Sequence, residues 1–408
     1  MDATTDAPET TEGEAANPFD GASDMAANPQ PIFKALRDGS PVLALEGSLV
    51  LSRKADIDEA LRHPEMFTSN MSAVDLKNVR PLIPLQIDPP DHKKYRKLLD
   101  PIFAPRLMTA MEGDVAVLVN DLIDRFIDRG EVDFSVEFSV PYPSQVFLKL
   151  LGLPPEELDR FLTMKDGIIR PDHVTGSPYG SPEADAYQQK VADSIYAYFN
   201  LVLDEREKEP RADLVSRFLS AEVEGHRLTR EDILDICFLF LIAGLDTVTA
   251  TLDCMFAYLS QHPEHRRQLA EDPSLIPSAI EELLRWETPV QMVARASSED
   301  TTFAGCPVKK GDSIVLMLGS ANTDDNEVED ADEVRFDREV NRHIAFGGGI
   351  HRCLGSHLAR MELRVALREW HRRIPEYSVE PGHTLVYTPN IRSIEHFPMR
   401  FTAKGGNQ

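Results

Sequence analysis

The amino-acid sequence predicts a mainly α-helical protein with a small β region, folded as one large domain. Its 408 residues are 42% hydrophobic, which is enough to bury a sizeable core. Helical patterns outnumber strand signals, and no Gly/Ser linker, repeat or low-complexity tract divides the chain after its first 28 residues. The strongest pattern, at residues 229–259, is apolar on nearly every side, so it predicts a helix buried through the centre of the molecule.

Residues 1–28 are predicted to form an acidic, disordered tail, because they are mostly small or acidic and include no lysine or arginine. They have neither the basic segment nor the apolar segment of a signal peptide, so we expect no leader and no membrane anchor there. Residues 29–408 are predicted to be the folded domain.

Composition and charge limit the possible partners and the compartment. The formal net charge of −25 disfavours nucleic acid and anionic membranes as partners. The four cysteines show no C-x-x-C spacing and no paired framework, which indicates a reducing compartment and argues against structural zinc. We therefore expect a cytoplasmic protein.

The other elements follow from periodicity and turn residues. A helix at 31–37 precedes a hairpin at 41–52, and the apolar segment at 66–88 has no sustained period. A turn-rich linker at 171–182 separates two long helices. Further helices are predicted at 54–62, 105–129, 142–151, 155–169, 183–208 and 356–370, and strands at 301–303, 306–308 and 313–318.

A glycine-rich turn with one cysteine directly precedes the last helix. Cys353 lies at that helix N-terminus, where backbone N–H groups and the macrodipole are expected to lower the pKa of a thiol. From these residues alone the alternatives are a metal ligand, a phosphate cradle, a catalytic thiol with His351 as its base, and a plain structural turn. The run is Phe346-Gly347-Gly348-Gly349-Ile350-His351-Arg352-Cys353-Leu354-Gly355.

The central helix contains two residues that are unfavourable in a buried helix. Gly244 costs about 1 kcal/mol relative to alanine, and Asp246 costs more unless it has a partner. Such locally unfavourable choices suggest function, with Thr247 next in the chain. The alternative is a helix kink with a satisfied Asp–Thr pair.

Two charged helical spacings have ordinary explanations of their own. His92 and Arg96 lie four residues apart on one helical face, as in a solvated charged face. Glu282 and Arg285 lie three residues apart, which is the spacing of an exposed ion pair worth ~0.3–0.5 kcal/mol.

Together these motifs resemble those of the cytochrome P450 family. Residues 346–355 match its haem-binding loop, Phe-Gly-x-Gly-x-His-x-Cys-x-Gly, and residues 243–247 match its oxygen-activation motif, Ala-Gly-x-Asp-Thr. The run Asp-Pro-Pro-Asp-His-x-x-x-Arg at 88–96 and the pair Glu282-x-x-Arg285, which supports the fold in the family, match in the same order. The resemblance implies a single P450-like domain with a long central helix over a haem and the cysteine loop beneath it.

The resemblance also implies a role for each matching residue. The Cys353 thiolate would be the axial ligand of the iron of haem b. Gly244 would open a groove for dioxygen, Thr247 would hold it, and Asp246 would help to relay protons. The remaining cofactor-binding residues implied are His92, Arg96, Arg295 and His351 at the propionates, and Phe346, Gly349 and Ala243 elsewhere in the haem pocket.

Substrate access follows from the same resemblance. Residues 66–88 would cap the pocket, and the helices at 155–169 and 183–208 would form its lid with the linker between them. At Thr323, Asp325 and Val334 the chain departs from the family, which usually has arginine, proline and phenylalanine there, so local packing is expected to differ. The substrate-contacting residues implied are Val74, Leu82, Ile83, Val290, Met292, Val293 and Ile391, with Ala294 and Asn390 nearby.

Basic residues gather on the cysteine side of this acidic chain. Arg360, Arg364, Arg368 and Arg372 repeat every four residues, which indicates either docking of an acidic partner or a solvated helix face. The resemblance implies the first, with a ferredoxin or flavodoxin and its reductase delivering electrons from NAD(P)H. Arg352, Lys93 and Lys97 would complete this face.

The implied activity is that of a haem-thiolate monooxygenase that uses O2 and two electrons. It would hydroxylate, or otherwise oxidise, an apolar small molecule such as a terpenoid, steroid, fatty acid or aromatic. The acid–alcohol pair at Asp246 and Thr247 favours this over relatives that use peroxide directly. The alternatives are a non-catalytic haem-binding sensor or carrier, and a cysteine-nucleophile enzyme without haem.

Overall fold

The computed structural model describes residues 26–70, 76–389 and 391–404, and most of them are helical, as predicted. The α-helices are α1 Pro29–Gly39, α2 Lys54–Arg62, α3 Asp91–Leu99, α4 Pro105–Thr109, α5 Glu112–Asp124, α6 Pro141–Leu150, α7 Leu158–Ile169, α8 Pro171–Thr175, α9 Pro182–Lys208, α10 Leu214–Ser220, α11 Arg230–Gln261, α12 Pro263–Glu271, α13 Ile276–Glu287, α14 Leu318–Asn322 and α15 Ser356–Arg373. The strands are β1 Val42–Leu45, β2 Ser48–Leu51, β3 Phe67–Thr68, β4 Glu131–Asp133, β5 Glu222–Val223, β6 His226–Arg227, β7 Val293–Ser297, β8 Thr301–Phe303, β9 Cys306–Val308, β10 Ser313–Leu316, β11 Glu376–Val379 and β12 Pro398–Thr402.

The largest sheet joins strands near the N-terminus to strands from residues 293–316. Its strand order is β1-β2-β10-β7-β3. The predicted β1–β2 hairpin is antiparallel, with Val42 opposite Leu51, and β10 runs parallel to β2 with Ser313 opposite Ser48. Since β10 lies far along the chain from β2, this pairing fastens the N-terminal segment to the C-terminal half. The smaller sheets are β11-β12-β4, β5-β6 and β8-β9.

Helix α11 passes through the centre of the fold, as its sequence predicts. It begins with the expected capping box, in which the Asp232 carboxylate accepts the Thr229 N–H at 2.8 Å and the Thr229 hydroxyl accepts the Asp232 N–H at 3.1 Å. Of the helices in the described residues, α11 alone is long and apolar enough to cross a membrane, but 78% of its most apolar window is buried inside the protein. Helices α6, α7, α9, α13 and α15 pack around it.

The Glu282–Arg285 pair is buried, which excludes the exposed ion pair that the spacing alone allowed and is consistent with the fold-supporting pair that the resemblance implies. Each side chain is 1% exposed, and Arg285 Nη2 donates to Glu282 Oε1 at 2.8 Å. A buried ion pair is stable only when further hydrogen bonds replace the lost hydration, and here they do. The further partners are the carbonyls of Asn322, Ala331 and Glu333 for Arg285, and Arg338, Asn341 and the Arg335 N–H for Glu282.

At Thr323, where the family usually has arginine, another element supplies the guanidinium. Buried Arg37 of α1 donates to the Thr323 carbonyl at 2.6 Å, to the Thr323 hydroxyl at 3.2 Å and to the Ser320 carbonyl at 2.9 Å. Asp325, the second departure, lies on the surface with Lys34 at 3.2 Å. Arg37 of the N-terminal helix therefore supplies hydrogen bonds to the turn that contains Thr323.

Ala26, which we expected in the tail, is packed against the fold. Ala26 is 2% exposed, and its carbonyl accepts a hydrogen bond from the buried guanidinium of Arg392 at 2.5 Å. Arg392 also pairs with Glu287 at the end of α13. The packed region therefore includes residues before Pro29.

Some predicted boundaries differ from the observed elements. The stretch predicted as one helix at 105–129 contains α4, α5 and a 3₁₀ turn at Ile127–Arg129. The new start at Glu112 places two acids in the first turn of α5, where the macrodipole favours them. The predicted linker contains the short helix α8, which begins at Pro171, and the sequence did not predict α10 or α12.

Asp253 is an acid buried inside α11 that holds two other elements. Its Oδ1 accepts the Ser135 and Ser139 hydroxyls at 3.1 and 2.5 Å, and its Oδ2 accepts the Ile394 N–H at 3.1 Å. Burial raises the pKa of Asp253 to about 7, although these hydrogen bonds act to lower it. Its protonation should therefore influence stability near neutral pH.

We expect Asp253→Asn to flatten the pH dependence of stability. Because the native pKa is raised, native Asp253 binds a proton that the unfolded chain releases, so its contribution is lost as pH rises from about 4 through about 7. Three pKa units correspond to at most about 4 kcal/mol. Urea unfolding of both proteins at pH 5 and pH 8 would measure this, with the exposed Asp114→Asn variant as control. An Asp253→Asn protein with unchanged pH dependence would contradict the assignment.

Candidate active site

One stretch of α11 is accessible although the rest of the helix is buried. This stretch contains Phe240, Ala243, Gly244 and Thr247. They are spaced by three, one and three residues, which places them on one face of the helix. Ala243 is exposed and the other three are partly accessible. An accessible face in the middle of a buried helix indicates an internal space beside it.

The cysteine loop makes a tight turn before α15. Gly347 and Gly349 have φ angles of +68° and +61°, which favour glycine. A side chain at Gly349 would collide with the carbonyl of Leu61 at the end of α2, so this glycine is also required for packing. The loop closes where the Cys353 N–H donates to the Phe346 carbonyl at 2.9 Å.

Cys353 lies deep within the protein, yet its side chain is accessible, so it borders an internal space. Burial raises the pKa of the Cys353 thiol, which contradicts the lowering expected from a helix N-terminus. A backbone hydrogen bond at Gly355 and the charges of Arg96, Arg360 and Arg352 act in the opposite direction. Burial outweighs the helix terminus here, and a bound metal cation would reverse the balance because coordination deprotonates a thiol.

Two histidines beside the loop have unpaired nitrogens. The rings of His92 and His351 are 4.3 Å apart, and Nε2 of each is buried without a hydrogen-bond partner among the described residues. Burial lowers the pKa of His351 to about 3, with His92 and Arg295 adding to the effect. Burial likewise lowers the pKa of His92 and of Arg295.

These side chains fit the two propionates of a haem. Unpaired imidazole nitrogens and the guanidinium of Arg295 are groups that carboxylates would satisfy. Arg96, also expected there, pairs with Asp100 at 2.8 Å and donates to the Arg352 carbonyl of the cysteine loop at 2.9 Å. No cluster of three or more His, Cys, Asp or Glu within residues 26–70, 76–389 and 391–404 could hold a metal ion. Cys353, with these propionate-side groups near it, would suit an iron held in a macrocycle with one protein ligand.

Asp246 is bound by two cations that the sequence did not reveal. Lys165 Nζ lies 3.0 Å from Asp246 Oδ1, and Arg170 Nη2 lies 2.8 Å from Asp246 Oδ2. Lys165 belongs to α7 and Arg170 follows it, and a lysine within the apolar pattern of α7 was the available signal. Thr247 Oγ1 instead donates to the Ala243 carbonyl at 3.0 Å, so Asp246 and Thr247 are satisfied separately.

Gly244 is required by a close contact with α6. A side-chain carbon at this position would lie 2.9 Å from the ring of Phe147, which is nearly fully buried. This contact gives a packing reason for the glycine, in addition to the groove for dioxygen that the family resemblance implies. The sequence could not reveal it, because the partner ring comes from a distant helix.

The residues expected to contact substrate fall into two groups. Val290 pairs with Ile391 in an isolated β-bridge, and Met292 and Val293 follow on the same segment, all of them partly accessible. Leu82 and Ile83 are 0% and 3% exposed and belong to the main core, so neither presents an accessible surface. Val74 and Asn390 lie outside the described residues.

Most of the arginines expected to dock a partner are paired within the chain. Arg360 makes two 2.6 Å hydrogen bonds to Glu281, Arg364 pairs with Glu112, and Lys97 pairs with Glu224 at 2.6 Å. The side chains of Arg352 and Lys93 are exposed and form no ion pair with the residues that the structure describes. A groove of about 140 Å³ next to Lys93 is lined by Pro90, Lys93, Lys94, Lys97, Val223, Glu224 and His226.

The fold and the site define a haem-thiolate oxygenase, and comparison with known proteins agrees. Residues 181–383 match the sequence model of the family described as Cytochrome P450. The chain is 35% identical to the steroid C26-monooxygenase of Mycolicibacterium smegmatis over 84% of its length and 85% of that protein. It is 33% identical to the vitamin D(3) 25-hydroxylase of Pseudonocardia autotrophica over 91% of its length and 93% of that protein.

A solved structure shows the same fold. The crystal structure of CYP109E1 from Bacillus megaterium in complex with corticosterone is 30% identical to this chain, with a TM-score of 0.83 over 93% of this chain and 100% of that one. The chain therefore belongs to the cytochrome P450 family of monooxygenases, whose cofactor is haem.

We expect the effect of Gly244→Ala on the free energy of unfolding to change sign with the size of residue 147. In the wild-type background the added methyl group meets the Phe147 ring, and overpacking of about 1–3 kcal/mol exceeds the gain of about 1 kcal/mol in helix propensity. In a Phe147→Leu background the same change should stabilise the protein. Urea unfolding of the four proteins tests this, and a similar loss in both backgrounds would contradict the packing explanation.

Proposed function

We propose that this protein hydroxylates a rigid apolar molecule of the steroid class, using O2 and two electrons from an iron–sulfur or flavin partner. The haem, when bound, supplies the chemistry of O2 reduction and oxygen insertion. Cys353 would hold the iron, and His92, His351, Arg295 and Arg96 would hold and orient the propionate side. The observation that carries the proposal is the accessible face of α11, which presents Thr247 beside buried Asp246 within a fold shared with monooxygenases.

Proton delivery is the task of the acid–alcohol pair in this proposal. Thr247 Oγ1 lies on the accessible face, and its hydroxyl could rotate away from the Ala243 carbonyl to donate to an oxygen held in the internal space. Asp246 forms ion pairs with Lys165 and Arg170. Its carboxylate can therefore accept and transfer a proton only when one of these contacts lengthens. Because both cations lie at α7, movement of the expected lid would couple substrate entry to proton supply.

The steroid class is compatible with the accessible apolar residues, and the named relatives favour it over the other apolar candidates. The accessible parts of Val290, Met292, Val293 and Ile391 offer apolar contacts, as a steroid skeleton requires. Two related monooxygenases are named for a steroid and for vitamin D(3), and a related structure contains corticosterone. Terpenoids, fatty acids and small aromatics are the competing classes that the experiment must separate.

The electron donor would be an acidic ferredoxin or flavodoxin, supplied from NAD(P)H by its reductase. Arg352 and Lys93 are the exposed cations best placed to meet it, because the structure leaves their charges unpaired among the described residues. Lys94 and the groove next to Lys93 extend this surface. A reducing cytoplasm, which the sequence indicates, is where such a donor and the free thiols of this chain would coexist.

The proposal is tested by spectroscopy followed by turnover. The purified protein should contain haem, and its reduced carbon monoxide complex should show a strongly red-shifted Soret band that Cys353→His lacks. Titration with a steroid, a fatty acid, a monoterpene and a small aromatic should give a spin-state change that is tightest for the steroid. Hydroxylated steroid should then form with ferredoxin, reductase and NAD(P)H. A normal spectrum with tight binding of another compound would replace the substrate class, and absence of the band would reject the proposal.

Thr247→Ala should uncouple reductant consumption from product formation. Losing a positioned proton donor should lower the product formed per reductant consumed by about tenfold or more, with a matching rise in hydrogen peroxide. Thr251→Ala is the matched control, since Thr251 makes the same kind of bond to a carbonyl one turn further along but is nearly buried. Tight coupling in Thr247→Ala, or equal uncoupling in both variants, would remove Thr247 from its assigned role.

A further inference from the structure

Glu281 of α13 is partly buried and binds residues on both sides of the cysteine loop, His343 before it and Arg360 of α15 after it. Its two carboxylate oxygens accept from Arg360 Nε and Nη2, each at 2.6 Å. The same carboxylate contacts His343 Nε2 at 3.0 Å, and His343 Nδ1 accepts the Ala345 N–H at 3.2 Å. Although burial alone would raise it, these bonds hold the pKa of Glu281 at about 2, so the carboxylate is charged throughout the physiological range.

Arg360 continues the contact from Glu281 to the aromatic ring of the loop. Its guanidinium lies 4.5 Å from the centroid of the Phe346 ring, within the range of a cation–π interaction. The backbone of Phe346 is bonded directly to the iron ligand, because its carbonyl accepts the Cys353 N–H at 2.9 Å. A continuous set of contacts therefore runs from Glu281 through Arg360 and Phe346 to Cys353.

We propose that Arg360 is a positioning residue that fixes Phe346 and sets the electrostatic potential at the cysteine ligand, instead of a docking residue for the electron donor. Three features support this role over the docking role. The guanidinium is engaged at its edge and on its face, because its N–H groups donate to Glu281 and its plane lies over the Phe346 ring. Its side chain is only 22% exposed. A partner would have to compete with a bidentate ion pair, which is costly to break.

The expected consequence is a shift of the haem reduction potential. A cation near the thiolate favours the state with one more electron, so removing it should make the potential more negative. We expect Arg360→Gln to lower the equilibrium constant for reduction about tenfold, which is about 59 mV for a one-electron couple. This inference rests on the proposed function only in that haem is bound at Cys353.

The experiment measures the potential with chemical mediators, without any protein partner, together with the spectrum of the carbon monoxide complex. Arg360→Gln should shift the potential, and Arg364→Gln should not, because Arg364, one turn further along α15, pairs with Glu112 of α5 and makes no contact with Phe346 among the described residues. Arg360→Met, which keeps the apolar stem over the ring, replaces the glutamine variant if that variant is unstable. Against a Phe346→Leu background the effect of Arg360→Gln should shrink, since contacts in one chain of interactions are not additive.

A second measurement separates this inference from the proposed function. Lys93→Glu should slow reduction by ferredoxin without moving the potential, whereas Arg360→Gln should move the potential whether or not ferredoxin is present. If Arg360→Gln leaves the potential unchanged but slows reduction as Lys93→Glu does, Arg360 is a docking residue and the inference fails while the monooxygenase proposal stands. A wild-type protein without the red-shifted carbon monoxide band would instead reject the proposed function itself.

Discussion

The structure depends on one constraint: α11 is buried through the centre, so each of its buried acids must find partners from other elements. Asp235 accepts from Arg80 at 2.8 Å and from Tyr196 of α9 at 3.0 Å. Asp246 is bound by Lys165 and Arg170 at α7, and Asp253 is bound by the π-helix Ser135–Ser139 and the C-terminal Ile394 N–H. Burial raises the pKa of Asp235 as well as that of Asp253, so these partners are needed to keep the carboxylates charged or hydrogen-bonded.

These acids also contact the segments that the family resemblance predicts to form the cap and the lid of the pocket. Arg80 belongs to the segment expected to cap the pocket, and Lys165 and Tyr196 belong to the two helices expected to form the lid. The Ile394 N–H follows the turn that contains Ile391. Movement of any of these segments therefore changes a contact with the central helix, which gives the helix a way to respond to substrate.

The cysteine loop is held on the opposite side by packing and charge together. Gly349 allows the loop to approach the Leu61 carbonyl, and the Glu281–Arg360 pair holds Phe346 from the other direction. Such fixed surroundings suit a metal ligand, because ligand orientation and local charge both influence the metal. They also explain why an acidic protein retains arginines here without offering all of them to a partner.

The sequence by itself determined the class of fold, the limits of α11 and α2 within two residues, the β1–β2 hairpin and the residues that form the motifs. These features arise from local patterns: helical periodicity, a capping box at Thr229, turn glycines and fixed spacing. The sequence did not determine what each motif residue contacts. Tertiary structure alone decided that Glu282 and Arg285 are buried and that the Phe147 ring requires a glycine at position 244. It also decided that Arg37 donates to the Thr323 carbonyl and that the Arg360 guanidinium lies over the Phe346 ring. Each of these contacts joins residues distant in sequence, and burial by distant elements is also what reversed the expected pKa shift of Cys353.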